Sequence, residues 1–237
     1  PLRCLITRPE AEAVGFARRV EESLGLVTEI SPILKILPVA GPASWARYRG
    51  VILTSASAAR RLKELGVPPN CPCFCVGEKT AAAALRAGYT AHSADGDAQD
   101  LLGLIRAMAP PPPLIHLRGA ESRGEIAERL TAAGIECEEA IVYKQEIARL
   151  SAAAKALLKG PGPVLIPLFS PRTARQFLKQ APWQPHFRML AMSANVADAI
   201  QAAGGEVLAV ARRPTEDAML EALAALAAAE PPLEPLE

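Results

Sequence analysis

The chain has 237 residues, of which 50% are hydrophobic and 22% charged, and its formal net charge is +1. That length buries a sizeable core, while balanced charge and only 4% aromatic residues exclude a polybasic nucleic-acid surface and a stacking platform for single strands. Five cysteines, an odd number, fit free thiols in a reducing compartment; no signal-peptide pattern or long apolar run is visible, so a cytoplasmic protein without a membrane partner is expected.

The chain opens on a strand, LRCLITRP, then a helix over 10–24 and a long extended run, LVTEISPILKILPV. GPASWARYRG predicts a short helix and turn before the buried strand GVILTS. SASAARRLKELG predicts a helix closing on Gly66, CPCFCVG a short strand, and EKTAAAALRAG a helix ending on Gly88. YTAHSA is a third strand, and DAQDLLGLIRAMA a helix opened by an Asp-rich N-terminus. After a stiff proline spacer at 110–113 come the strand LIHLRG, the helix ESRGEIAERLTAAG and a second long extended run over 134–147, GIECEEAIVYKQEI. That run has too many β-formers and too little helical period to be a helix. A helix over 150–159 follows, then the strands VLIPLFS, MLAMSA and VLAVARRP alternating with the helices PRTARQFLKQ, NVADAIQAAGG and TEDAMLEALAALAAA. The tail EPPLEPLE is expected to be disordered. Strands alternating with helices predict an α/β fold of parallel sheets flanked by helices.

The pattern repeats. Arg8 to Ile33 and Arg118 to Tyr143 span the same interval (33 − 8 and 143 − 118), each across a strand, a helix and an extended run. LTSASAARRL aligns with LFSPRTARQF, matching Ser55 to Ser170, and VGEKTAAAALRAG aligns with MSANVADAIQAAG, matching Gly77 to Ser193. A duplicated α/β unit is implied. Two similar lobes are expected, one of 1–35 plus 146–237 and an inserted one of 36–145. Linker strands near 33–39 and 140–147 join them as a two-stranded crossover; a simple split near 145 is the competing topology. Both long runs exceed a typical strand of about 5–6 residues, which favours the crossover.

TSAS, with Thr54 and Ser55, and FSPR, with Ser170, place hydroxyls after a buried strand and before a helix. That is where ligands bind in open α/β sheets, and free helix N–H groups there attract anions. Ordinary N-capping explains each motif alone; the matched pair suggests two anion-accepting lips. Gly77 allows close backbone approach by a ligand or simply makes a tight turn. Arg8 and Arg118 end their strands as carboxylate clamps or as solvated surface residues. Cys71, Cys73 and Cys75 alternate, so they share one strand face and lack zinc-site spacing. The three histidines, His92, His116 and His186, are scattered, so neither a metal nor a covalent nucleophile is expected. Tyr143 is either a half-buried strand residue or a phenol that donates a proton.

LITRPE, VILTSASAA, VGEKTAAAALRAG, LIHLRG, IVYKQE, FSPRTARQF and RRPTEDAML together resemble uroporphyrinogen-III synthase, in order and over nearly the whole chain. The resemblance implies two α/β lobes and a lyase that works without cofactor. Its substrate would be hydroxymethylbilane, a linear tetrapyrrole rich in carboxylates, closed with inversion of ring D in heme biosynthesis. Tyr143 matches the family's linker tyrosine, placed to assist loss of the terminal hydroxyl. Arg8, Thr54, Ser55, Gly77, Thr80, Arg118, Ser170, Ser193 and Asn195 are the substrate-binding candidates. A monomer is implied, with hydroxymethylbilane synthase as a transient contact. The chain departs from the family pattern at Ser193, where a glycine is usual, and at Val196, where a threonine is; Ser193 or Asn195 would then supply the hydrogen bond. A non-catalytic tetrapyrrole or polyanion binding protein is the alternative, and a periplasmic solute-binding role a third.

Overall fold

The computed structural model describes residues 2–122 and 125–229. The chain begins with β1 (Arg3–Ile6), α1 (Glu10–Leu24) and β2 (Val27–Ile30), and passes through β3 (Leu34–Pro38). Next come β4 (Gly50–Leu53), α2 (Ala56–Arg60), β5 (Cys73–Cys75), α3 (Glu78–Arg86), β6 (Ala91–Ser93) and α4 (Ala98–Met108). β7 (Leu114–Gly119), α5 (Glu125–Ala132) and the long β8 (Cys137–Ile147) follow. The chain ends with α6 (Ala152–Lys159), β9 (Val164–Leu168), α7 (Pro171–Gln180), β10 (Phe187–Ala191), α8 (Ala194–Ala202), β11 (Val207–Val210) and α9 (Glu216–Ala229). Contacts divide it into two units, Pro1–Lys35 with Glu146–Glu237, and Ile36–Gln145.

The first unit is a five-stranded sheet in the order β11-β10-β9-β1-β2, parallel throughout. Its central strand VLIPL is buried at every position, as expected of a strand covered on both faces. One face packs Phe177, Ile200 and Leu158 from α7, α8 and α6. The other packs Phe16, Val20 and Met219 from α1 and α9. The second unit is a six-stranded sheet in the order β3-β8-β7-β4-β5-β6, with α2 and α3 over one face and α4 and α5 over the other. The expected α/β architecture of helix-flanked sheets is what forms, but only the first sheet is parallel throughout; the second is mixed.

Local details differ from the sequence reading. The run LVTEISPILKILPV is two strands, not one: β2 pairs with β1, whereas β3 lies beside β8 in the other sheet. Pro32 offers no N–H to a ladder, and buried Ser31 turns its Oγ to accept the N–H of Ser151 at 2.8 Å. GPASWARYRG forms no helix; it makes a turn closed by the Tyr48 N–H on the Trp45 carbonyl at 3.1 Å. The helix expected to reach Gly66 stops at Arg60, and turns continue to Gly66 at φ +73°. There the Leu65 carbonyl accepts from Trp45 Nε1 at 2.7 Å instead of from a helical partner. The second long run starts at Cys137 rather than 134, because Gly134 takes φ +84° in the turn after α5. The tail over 230–237, expected to be disordered, lies outside the described residues.

The duplication holds down to backbone angles. Ser55 and Ser170 are N-caps at φ/ψ −144°/143° and −146°/150°. Gly77 and Ser193 are N-caps at −154°/171° and −156°/169°, and Gly88 and Gly204 reverse the chain at φ +87° and +82°.

Candidate functional site

In each sheet one gap between neighbouring strands is a topological switch point, where connections depart to opposite sides and leave a crevice at the carboxyl ends. It falls between β4 and β7 in the second unit and between β9 and β1 in the first. Of the sequence-predicted hydroxyls, Thr54 and Ser55 follow β4 and Ser170 follows β9, so the strand–helix grammar itself delivers them there, whereas Thr80 and Ser193 follow the neighbouring strands β5 and β10.

In the second unit the central feature is Tyr143. Its phenol donates to Ser55 Oγ at 3.1 Å, while the same Oγ accepts the N–H of Ala58 at 3.2 Å as cap of α2. The ring is 7% exposed. It reaches this place because β8 shifts register by one residue against β7: Arg118 pairs with Ile141, but Gly119 pairs with Tyr143. That bulge lets consecutive residues Val142 and Tyr143 both join the core on the α2–α3 face. Gly119 makes the room, since a Cβ there would lie 2.5 Å from Tyr143 Cζ and 2.8 Å from its hydroxyl.

Thr54 turns to the opposite face and its Oγ1 lies 3.0 Å from His116 Nε2. His116 is 1% exposed and its Nδ1 has no partner. Burial pushes its pKa down from 6.5 to about 4; Glu139 opposes that shift and Arg118 adds to it. The imidazole is therefore neutral at pH 7.

In the first unit Ser170 Oγ accepts the Thr173 N–H at 3.1 Å and donates to Thr173 Oγ1 at 2.9 Å. Thr7, directly after β1, buries a hydroxyl that has no partner. Arg8 is 5% exposed. Its Nη1 donates to Glu216 at 2.8 Å and its Nη2 to Glu12 at 3.4 Å. The guanidinium carbon lies 3.9 Å from the centroid of Phe169, and only Nε lacks a partner. Arg8 is therefore not the solvated surface residue of one sequence reading, and the carboxylates it holds here are the chain's own Glu216 and Glu12. Arg118 is likewise engaged, donating to Glu139 at 2.6 and 3.1 Å and to the Ser122 carbonyl at 2.9 Å. Gly77 has open space around it, whereas Thr80, three residues into α3, is buried.

The family model for uroporphyrinogen-III synthase HemD matches residues 16–221. The chain belongs to the uroporphyrinogen-III synthase family. Its fold is similar to that of uroporphyrinogen-III synthetase from Helicobacter pylori 26695, with 17% identity, 95% of this chain and 100% of that one covered, and a TM-score of 0.70. It is also similar to a triple variant of uroporphyrinogen III synthase from the extremely thermophilic bacterium Thermus thermophilus, with 18% identity, coverage of 97% and 100%, and a TM-score of 0.55. No curated protein matches by sequence.

In this member of the uroporphyrinogen-III synthase family, Ser193 and Val196, the positions that the sequence reading set apart, lie at the start of α8. Val196, the repeat partner of Thr80, is buried in the first unit's core, and Asn195 is exposed beside it. Ser193 makes no side-chain cap, matching the behaviour of Gly77, so its substitution leaves the turn unchanged. The five cysteines are free and buried; burial lifts Cys4, Cys75 and Cys137 to about 12, which removes them as nucleophiles at neutral pH. Among the described residues no three acidic, His or Cys side chains cluster to hold a metal ion. No helix among them is long and apolar enough to cross a membrane.

Sequence reasoning missed Thr7, His116 as a partner of Thr54, and Gly119. A hydroxyl just past a buried strand was a signal for Thr7. Period-two alternation in LIHLRG puts His116 on the face of Leu114, but nothing local names its partner.

Proposed function

We propose that the chain is a uroporphyrinogen-III synthase, a lyase that dehydrates and cyclises hydroxymethylbilane with inversion of ring D. The observation that carries this reading is the family match over residues 16–221. Tyr143 donates its phenolic proton, or a hydrogen bond, to the departing terminal hydroxyl, so that water leaves and an electrophilic azafulvene remains. That carbon is attacked by the substituted position of ring D; the resulting spiro centre fragments and recloses on the ring's other side. Residues of this chain hold the ends of the bilane so that this closure outruns the direct one, an effect of orientation. Thr54, Ser55, Gly77 and Thr80 in one unit, and Ser170, Ser193 and Asn195 in the other, offer hydroxyls, amides and helix N-termini to the carboxylates. No cofactor enters the reaction. On this reading the protein works as a cytoplasmic monomer that receives its labile substrate from hydroxymethylbilane synthase.

The test generates hydroxymethylbilane in situ, adds the protein, oxidises, and separates the uroporphyrin isomers. Type III in excess is the expected result. Type I alone, from folded protein, overturns the enzyme and favours the alternative suggested by Val196, a two-lobed tetrapyrrole binder without turnover.

A further inference from the structure

A cavity of about 420 Å³ opens within the second unit, lined among others by Thr54, Val76, His116, Ser122, Ile126 and Arg129. It lies on the α4–α5 face, where Ile52 packs with Leu102 and Ile126, and so on the other side of the sheet from the Tyr143 ring, which packs with α2 and α3. Consecutive residues of an extended strand end point to opposite faces, which is how Thr54 serves this cavity while Ser55 serves Tyr143. Its volume is within the about 300–1,000 Å³ of small-molecule sites.

The hydrogen-bond inventory of the floor decides what the cavity offers. Neutral imidazole has one N–H and one lone pair. An orphaned buried N–H is rarer, and costlier, than an orphaned acceptor. The unpartnered Nδ1 is therefore the lone pair, and Nε2 carries the proton and donates to Thr54 Oγ1 at 3.0 Å. That bond occupies the hydroxyl as acceptor and leaves its proton for another group. Arg129 adds a positive charge at the exposed rim, held by Gln99, with Glu125 one helical turn before it on α5. Val76 and Ile126 supply apolar wall.

We propose that this cavity is a subsite for one carboxylate-bearing pyrrole of the substrate, in which His116 is a positioning residue that commits the Thr54 hydroxyl to donate. The proposal rests on the synthase reading and adds to it a place, on the face away from Tyr143, where one ring is gripped without touching the bond that breaks. Such a grip acts on KM and spares kcat.

Steady-state constants for the full chain test it. Thr54→Val and His116→Leu should each raise KM for hydroxymethylbilane about ten-fold, the worth of one hydrogen bond to a charged group, with kcat nearly unchanged. The double variant should be no worse than Thr54→Val alone, and Thr54→Ser and His116→Gln, which keep a donor at each place, should restore KM. Unchanged KM in Thr54→Val overturns the subsite, and additive losses overturn the role of His116. A second measurement needs no turnover: calorimetric titration with a monopyrrole carrying one carboxymethyl and one carboxyethyl arm. Binding by the wild type that Thr54→Val and Arg129→Gln weaken supports the site. Absence of binding by the wild type overturns it, whatever isomer the enzyme makes, so failure of the synthase reading and failure of the subsite are told apart.

Discussion

Tyr143 reaches across the second unit's switch point to donate its phenolic hydrogen to Ser55, 3.1 Å away, and Ser55 in turn caps α2. The hydroxyl we propose to act on the substrate is thus parked on a helix cap. Tyr143→Phe should lower kcat by about 100-fold, in the range of a lost general acid, and stability by only about 1 kcal/mol. Isomer analysis with a thermal melt checks both. Unchanged turnover removes the phenol from the mechanism.

Gly119 is predicted to matter through that same ring. A methyl group there would sit 2.5 Å from Tyr143 Cζ and 2.6 Å from Cε2, so the ring must leave its seat. Gly119→Ala should therefore lose turnover nearly as far as Tyr143→Phe does. Combining the two should cost no further kcat, although stability falls because a phenylalanine ring meets the same methyl group. A double variant far slower than Tyr143→Phe would give Gly119 a separate part.

The alternation of strands and helices and the repeat were legible because both rest on local grammar: apolar runs, caps and turn glycines. The matched N-caps of Ser55 and Ser170 follow from their motifs alone. What the sequence did not display were pairings set by topology. The repeat and the length of LVTEISPILKILPV place a lobe boundary inside it, but not the strand beside which each half pairs; hydrophobic runs specify a strand and leave its neighbour open. The need for glycine at 119 is imposed by a ring on β8, and Thr54 meets His116 only once β4 and β7 pair in register, with Ile52 opposite His116. That Arg8 clamps a carboxylate of this chain was not legible, because its partner Glu216 lies 208 positions away.

Arg8 should behave as a structural clasp. Its terminal nitrogens hold Glu216 and Glu12, tying β1 and α1 to the start of α9, and its guanidinium covers Phe169. Glu216 is partly exposed, so water takes up some of what the pair loses. Arg8→Met is expected to cost about 2 kcal/mol through the lost ion pairs and cation–π contact, with KM unchanged. Denaturant melts beside steady-state kinetics decide: a raised KM at unchanged stability would return Arg8 to substrate binding.

His116 gives the second unit an acid-side dependence with a definite sign. Its folded pKa is about 4, below the ordinary 6.5, because burial disfavours the charged ring. Between those values the unfolded chain binds the proton and the folded one does not, so stability rises with pH there. The contribution is complete above about pH 6.5 and is lost as the pH falls toward about 4, where both states are protonated. A shift of that size corresponds to about 3 kcal/mol at roughly 1.4 kcal/mol per unit. Urea midpoints measured across this window should fall steadily for the wild type, and His116→Gln, which cannot titrate, should flatten the profile above about pH 5, before carboxylates begin to protonate. An equally steep fall in the variant would assign the dependence to groups other than His116 and leave its burial without consequence for stability.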